Sequence, residues 1–364
     1  MKRIIGQELT MRMPYRFWII LVLAITACST APTSVGATEM NRPITVNPWQ
    51  EAVVSVSDLD RSAAFFLDIG GYTVSWRGPL SASEIRSWGL SAEAFGEALL
   101  LTHQDSEQGA IRLIRFDNAG RQEPTRPGGH AWDTGCYFSL MIRMKDIQAI
   151  YDNAIRLGWW NETPITYLEF GASKLNIMIF KGPDGLQVQG YERLSPALPA
   201  AVGSFDRMSR PFNIMQMVRN RDASYDFFTR ILGFDTFHSG KPYLASTPAH
   251  NPIGIPINLT TSSPYLASIV YPKQGEFGRM EMIEIQGIDG YDFSSRCDAP
   301  NLGILAVRFE VDDLKAAQTR LAQRDWPLYR EPEVAAIAPY GNINLLSIRT
   351  PDHAIVQFYE KATP

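Results

Sequence analysis

Four times along the chain, residues alternate between apolar and polar with period two and then switch to apolar spacing of three and four. The copies run from Glu51 to Tyr72, Ser139 to Trp159, Asn213 to Phe234 and Ala306 to Trp326. Each alternating run predicts a strand, and each ends in an acidic or amide residue: Asp58, Asp146, Asn220 or Asp313. The stretch that follows predicts an amphipathic helix, as with Ala63, Phe66 and Leu67, or Tyr225, Phe228 and Ile231. The second copy continues into three more apolar runs, residues 160–168, 174–180 and 186–191, broken by Gly171 and by the turn Gly182-Pro-Asp-Gly185. The fourth continues in the same way through residues 327–331, 342–348 and 354–359, with the turn Thr350-Pro-Asp-His353. The predicted class is α+β, built from four βαβββ units.

Ahead of the first unit, Arg12 and Arg16 lead into the apolar run Phe17 to Ile25, which is too short to span a bilayer and predicts an export segment over residues 1–27. Its last residues and the next, Ile25-Thr26-Ala27-Cys28, resemble a bacterial lipoprotein box. That resemblance implies removal of residues 1–27 and lipidation of Cys28 as a membrane anchor. With Ser29 and not Asp next, it implies an outer-membrane protein facing the periplasm. Residues 28–48, rich in Thr, Ala, Pro and Ser, are expected to form a flexible tether.

The chain has 45% hydrophobic and 20% charged residues, a globular composition. Loss of residues 1–27 removes Lys2, Arg3, Arg12 and Arg16 against Glu8 and moves the formal charge from -4 to -7. With no basic cluster, no nucleic-acid partner is expected. Cys136 and Cys297 lie in different halves of the chain and are expected as buried free thiols.

The junction Val56-Ser-Asp-Leu-Asp-Arg-Ser62, and the Pro-Asp-Gly turn followed by an apolar strand, resemble those of the vicinal oxygen chelate superfamily of glyoxalases, extradiol dioxygenases and bleomycin-resistance proteins. The resemblance covers nearly all of residues 47–361. It implies that the units pair into two half-open barrels, at residues 49–195 and 211–362, joined by a linker over 196–210.

Alternation sorts the faces of each first strand. Ala52, Val54 and Val56 face the helix, so Glu51, Val53 and Ser55 face the barrel interior. The same rule places Ser139, Met141 and Arg143 inside, then Asn213, Met215 and Met217, then Ala306, Arg308 and Glu310. Met280 and Met282, with Phe309 and Tyr359, are expected to make the second cavity apolar. Superfamily members that hold a divalent metal place His or Gln at the head of a first strand and Glu near the end of a last one. Here the heads are Glu51, Ser139, Asn213 and Ala306, and Gln189 and Gln357 take the closing places. No metal ligand is assigned and no cofactor is expected. The histidines have no ligand-like spacing, and only His130, in a glycine-rich loop before the second unit, joins the candidate binding residues.

The predicted function is that of a metal-independent isomerase or lyase acting on a small carbonyl-bearing or aromatic compound. Glu51 would be the general base, with Arg143 and Gln189 stabilising an oxyanion. Ser139, His130, Asn213, Arg308, Glu310 and Gln357 would contribute to binding, with Arg308 and Glu310 free to pair with each other. A small-molecule binder without chemistry is the first alternative, and a divalent-metal-dependent lyase or dioxygenase the second.

Overall fold

The structure, a computed structural model, describes residues 42–362 apart from 105 and 107, so the export segment, Cys28 and most of the expected tether lie outside the described residues. Unit one comprises β1 (Glu51–Ser55), α1 (Leu59–Ala64, continued by a π-helical turn over Phe65–Ile69), β2 (Thr73–Pro79), α2 (Ala82–Ser87), β3 (Phe95–Thr102) and β4 (Ala110–Asp117). Unit two has β5 (Ser139–Met144), α3 (Ile147–Arg156), β6 (Thr166–Phe170), β7 (Ser173–Lys181) and β8 (Gln187–Ser195). Unit three has β9 (Met208–Met217), α4 (Arg221–Asp226, continued by a π-helical turn over Phe227–Ile231), β10 (Asp235–Ser239), β11 (Tyr265–Tyr271) and β12 (Arg279–Ile285). Unit four has β13 (Gly303–Glu310), α5 (Leu314–Gln323), β14 (Arg330–Ile337), β15 (Gly341–Arg349) and β16 (Ile355–Lys361).

The polar residue that closes each first-strand pattern is a helix cap. Asp58, Asp146, Asn220 and Asp313 each accept a hydrogen bond from the backbone N–H three residues on, satisfying a donor that the helix itself leaves unpaired.

The strands form two eight-stranded sheets. Sheet one runs β14-β15-β16-β13-β1-β4-β3-β2, and sheet two runs β10-β11-β12-β9-β5-β8-β7-β6. Unit one therefore pairs with unit four, and unit two pairs with unit three between them in sequence, which corrects the expected barrels at 49–195 and 211–362. The seams are antiparallel: Glu51 lies opposite Arg308 between β1 and β13, and Met141 lies opposite Asn213 between β5 and β9.

The reason lies in where sequence neighbours meet. Phe65 of unit one stacks on Trp159 of unit two with ring centres 4.0 Å apart, and Phe227 of unit three lies 4.7 Å from Trp326 of unit four. Neighbouring units thus join through their helical layers, and one continuous apolar core runs behind both sheets. Aromatic burial of this kind, at about 25 cal/mol per Å² of apolar surface, favours a shared core over two separate ones.

Crossed pairing moves the boundaries. Residues 196–207 join β8 to β9 within sheet two, so the stretch 196–210 is not a linker between barrels. The true connectors between sheets are residues 118–138 and 286–302. Each carries one cysteine, and Cys136 and Cys297 form a disulfide with Cα atoms 5.1 Å apart, correcting the expectation of free thiols. The described end of the expected tether, residues 42–48, packs on the folded body. Ile44 and Thr45 are buried, with Ile44 N–H donating to Leu232 and Thr45 Oγ1 donating to the Glu310 carbonyl.

Candidate functional site

The concave faces of the two sheets carry equivalent positions with different chemistry. Register aligns Glu51 with Asn213, Arg112 with Glu281, Arg308 with Met141, Gln357 with Gln189 and Glu310 with Arg143.

In sheet one these positions close on themselves. Glu51 Oε1 accepts hydrogen bonds from Arg112 Nε, at 2.8 Å, and from Arg308 Nη1. Its Oε2 accepts from the Tyr340 hydroxyl at 2.7 Å. Arg308 Nε donates to Gln357 Oε1 at 2.9 Å, and Arg112 Nη2 to the Ala338 carbonyl at 2.8 Å. Burial alone would raise the Glu51 carboxyl, but the two guanidiniums and their hydrogen bonds outweigh it and hold the group below the usual carboxylate range. Glu51, Arg112 and Arg308 are all 0% exposed, and α2 with Leu80, Ile85 and Trp88 packs over them. This face is filled.

Sheet two keeps its concave face open. It encloses a cavity of about 610 Å³ lined by Phe170, Tyr191, Phe212, Phe237, Tyr265 and Ile283 among others, with Met141, Gln189, Asn213 and Glu281 contributed by the four central strands of the sheet. Glu281 Oε2 accepts a hydrogen bond of 2.8 Å from Asn213 Nδ2. Burial pushes the Glu281 carboxyl up to about 7, against the opposing pull of Asn213 and Arg279. The Oδ1 of Asn213, the Oε1 of Gln189 and the Oγ of Ser139 are buried and have no hydrogen-bond partner among the described residues. Arg143, on β5, bonds the Glu276 carboxylate at 2.7 Å and lies 4.2 Å over the Phe212 ring.

The predicted catalytic set is therefore not assembled. Glu51 lies in sheet one while Arg143 and Gln189 line the cavity of sheet two, because the units pair crosswise. Glu51 is sealed by two guanidiniums and a phenol and has no exposed surface, so it cannot meet a substrate. Arg308 pairs with Glu51 and not with Glu310, which instead accepts from Tyr359 and pairs with Lys361. Gln357 belongs to the same filled face, and the binding roles expected of Arg308, Glu310 and Gln357 have no cavity to serve. Ser139 is buried on β5 at the place Ala306 holds in sheet one. His130 stacks on Trp132 at 4.7 Å and lies 3.3 Å from Glu162, away from the cavity lining. Asn213 lines the cavity. Cys28 lies outside the described residues.

Glu281, Arg279 and Arg112 were missed, all on closing strands of units one and three. The signal was the alternation Arg279-Met-Glu-Met-Ile-Glu-Ile285. Taking Met280 and Met282 as cavity residues inverted its parity. Both methionines pack under the helices, as does Phe309, which leaves Arg279 and Glu281 facing inward.

No family model matches the sequence, and no curated protein matches it closely enough to count as a relative. Solved structures do match. Glyoxalase I from Zea mays superposes with a TM-score of 0.57 over 86% of this chain and 92% of that one, at 12% identity. A candidate dioxygenase from Bacillus subtilis gives a TM-score of 0.51 over 88% of this chain and 86% of that one, at 11% identity. The chain has the vicinal oxygen chelate fold. Such low identity establishes the fold and leaves the chemistry to the residues of this chain.

Many vicinal oxygen chelate proteins work through a divalent metal, and this donor set does not fit one. Glu281, Asn213, Gln189 and Met141 offer one carboxyl, two amides and a thioether, and His238 and Glu169 also line the cavity without joining them in a metal-holding group. Asn213 turns its NH2 toward Glu281, and Arg279 lies within the field of that carboxyl. In sheet one, the lone pairs of Glu51 already bond two guanidiniums and a phenol. No group of three His, Cys, Asp or Glu side chains with metal-holding geometry occurs among the described residues.

Proposed function

We propose that the chain is a metal-independent isomerase or lyase of the bacterial envelope, anchored through Cys28, that acts on a small carbonyl-bearing or aromatic compound held in the sheet-two cavity. One observation carries this reading: Glu281 lines a cavity rich in aromatic rings, hydrogen-bonded to Asn213, with its carboxyl raised to about 7 by burial. A carboxyl poised there can take a proton from carbon and return it near neutral pH. Asn213 Nδ2 holds the carboxyl in place. Arg143 and Gln189, expected to serve Glu51, line the Glu281 cavity instead. Desolvation by the surrounding rings strengthens each of these polar contacts.

The test is proton exchange. The purified protein is incubated in D2O with a panel of aryl-substituted ketones and 2-oxo acids, and loss of the α-C–H signals is followed by NMR. Exchange is expected for at least one compound, slowed about 100-fold or more in Glu281→Gln. Undiminished exchange in that variant would remove Glu281 from the reaction. Binding without exchange would favour the second reading, a non-catalytic small-molecule binder, which the largely apolar lining of the cavity supports.

A further inference from the structure

One end of the sheet-two cavity carries more positive charge than the protein balances. Arg143 on β5, Arg193 on β8 and Arg279 on β12 all line it. Arg143 and Arg279 share a single carboxylate, Glu276, at 2.7 and 3.4 Å. The Arg193 guanidinium makes no hydrogen bond or ion pair among the described residues, and its Nε is buried without a partner. The Nη1 of Arg143 and the Nε of Arg279 are likewise buried and unpartnered. Burial pushes the Arg143 guanidinium down, and Arg279, Arg193 and Arg210 add to that against Glu276. The other acidic group near this cluster, Glu281, is held partly protonated at neutral pH. Three guanidiniums, that of Arg143 buried and those of Arg193 and Arg279 half-buried, thus face one full carboxylate.

Buried charge is costly unless it is paired, and the cheapest partner still missing is an anion from outside. Guanidiniums also bind planar oxyanions through paired, charge-assisted hydrogen bonds. Aromatic rings lie against this cluster: Phe212 and Phe237 lie under Arg143 and Arg279, at 4.2 and 4.0 Å. We infer that the ligand of this cavity is an amphipathic anion, with a carboxylate or phosphate group held by Arg143, Arg193 and Arg279 and an aromatic or aliphatic body running along the rings toward Glu281. The inference rests on the sheet-two cavity being the ligand site and specifies the class of compound that site takes.

Three probes of one shape test it: 3-phenylpropanoate, its uncharged carboxamide, and 2-phenylethyl phosphate, titrated by calorimetry into the full chain. At least one of the two anions is expected to bind at least about tenfold more tightly than the amide, and the tighter anion identifies the head group. Arg193→Met is expected to erase that preference while leaving amide binding unchanged. Glu281→Gln is expected to retain it, which separates this inference from the catalytic assignment. Equal binding of all three probes, an equal loss of all three in Arg193→Met, or binding by neither anion would overturn the inference.

Discussion

Sheet one and sheet two are the same half-barrel with opposite fates. At equivalent register positions, sheet one has Glu51, Arg112 and Arg308 where sheet two has Asn213, Glu281 and Met141. In the first, a carboxylate between two guanidiniums, with the buried Glu84 carboxyl beside them, makes a fully buried internal network, even though Arg112 Nη1 and Arg308 Nη2 have no hydrogen-bond partner among the described residues. In the second, exchanging one arginine for a thioether and the other for a carboxyl leaves a cavity with unpaired polar atoms. Function in a duplicated fold can thus be assigned by asking which copy satisfies itself. The filled copy is free to be structural, because its carboxylate is taken up by two guanidiniums and a phenol and none of the three charged groups has exposed surface.

The largest effect expected from this comparison is in sheet one. Glu51→Gln leaves two buried guanidiniums short of their counter-charge and should cost about 3–5 kcal/mol of stability in urea unfolding. Binding in the cavity should be unchanged while the variant is folded. A small cost with lost binding would reverse the roles assigned to the two sheets.

A somewhat smaller effect is expected from pH. The Glu281 carboxyl titrates at about 7 in the folded chain, against an ordinary value of 4.5. The folded state therefore holds the proton more tightly. Its contribution to stability is full below the ordinary value, falls as pH rises toward 7, and is flat above. The fall is on the order of 3 kcal/mol, and Glu281→Gln should remove it. Denaturant midpoints measured from pH 4 to 8 for both proteins check this; identical profiles would mean that Glu281 is not desolvated.

The smallest effect concerns Ser139, whose hydroxyl is buried without a partner where sheet one has Ala306. Ser139→Ala is expected to be neutral or to stabilise by up to about 1 kcal/mol in the same urea assay. A loss of 2 kcal/mol or more would mean that the hydroxyl has a partner in solution.

The unit repeat was legible because it is written locally: period-two strands, a capping Asp or Asn, then helical spacing. The inward parity of all four first strands was legible too, since the helix-facing positions Ala52, Leu140, Ile214 and Val307 are continuously apolar. Pairing was not legible. Each unit offers a similar edge, and the choice between edges is made by contacts such as Phe65 on Trp159, which no local pattern encodes. The missed disulfide followed from that error, since Cys136 and Cys297 are distant only if neighbours in sequence are neighbours in a sheet. The site was half legible: Asn213, Gln189 and Arg143 were found on the inward face. Glu281 escaped because β12 carries methionine on one face and charge on the other, and the choice of face depends on which side the helix covers.

Crossed pairing also sets the order in which the protein can form. Sheet two is built from one continuous stretch, residues 139–285, whereas sheet one joins the first strand segment to the last. As the chain emerges N-terminal end first, β1 to β4 have no partner until β13 to β16 arrive, and the unsheltered β1 edge carries Glu51 without Arg308. Closing so long a loop is entropically costly and slow, while the inner sheet closes a shorter one. The cavity-bearing half can assemble early, and the all-internal charge network seals last. Truncation or stalling near the C-terminus would therefore leave an exposed strand edge rather than a damaged pocket, and the hazard of incomplete synthesis in this architecture is aggregation.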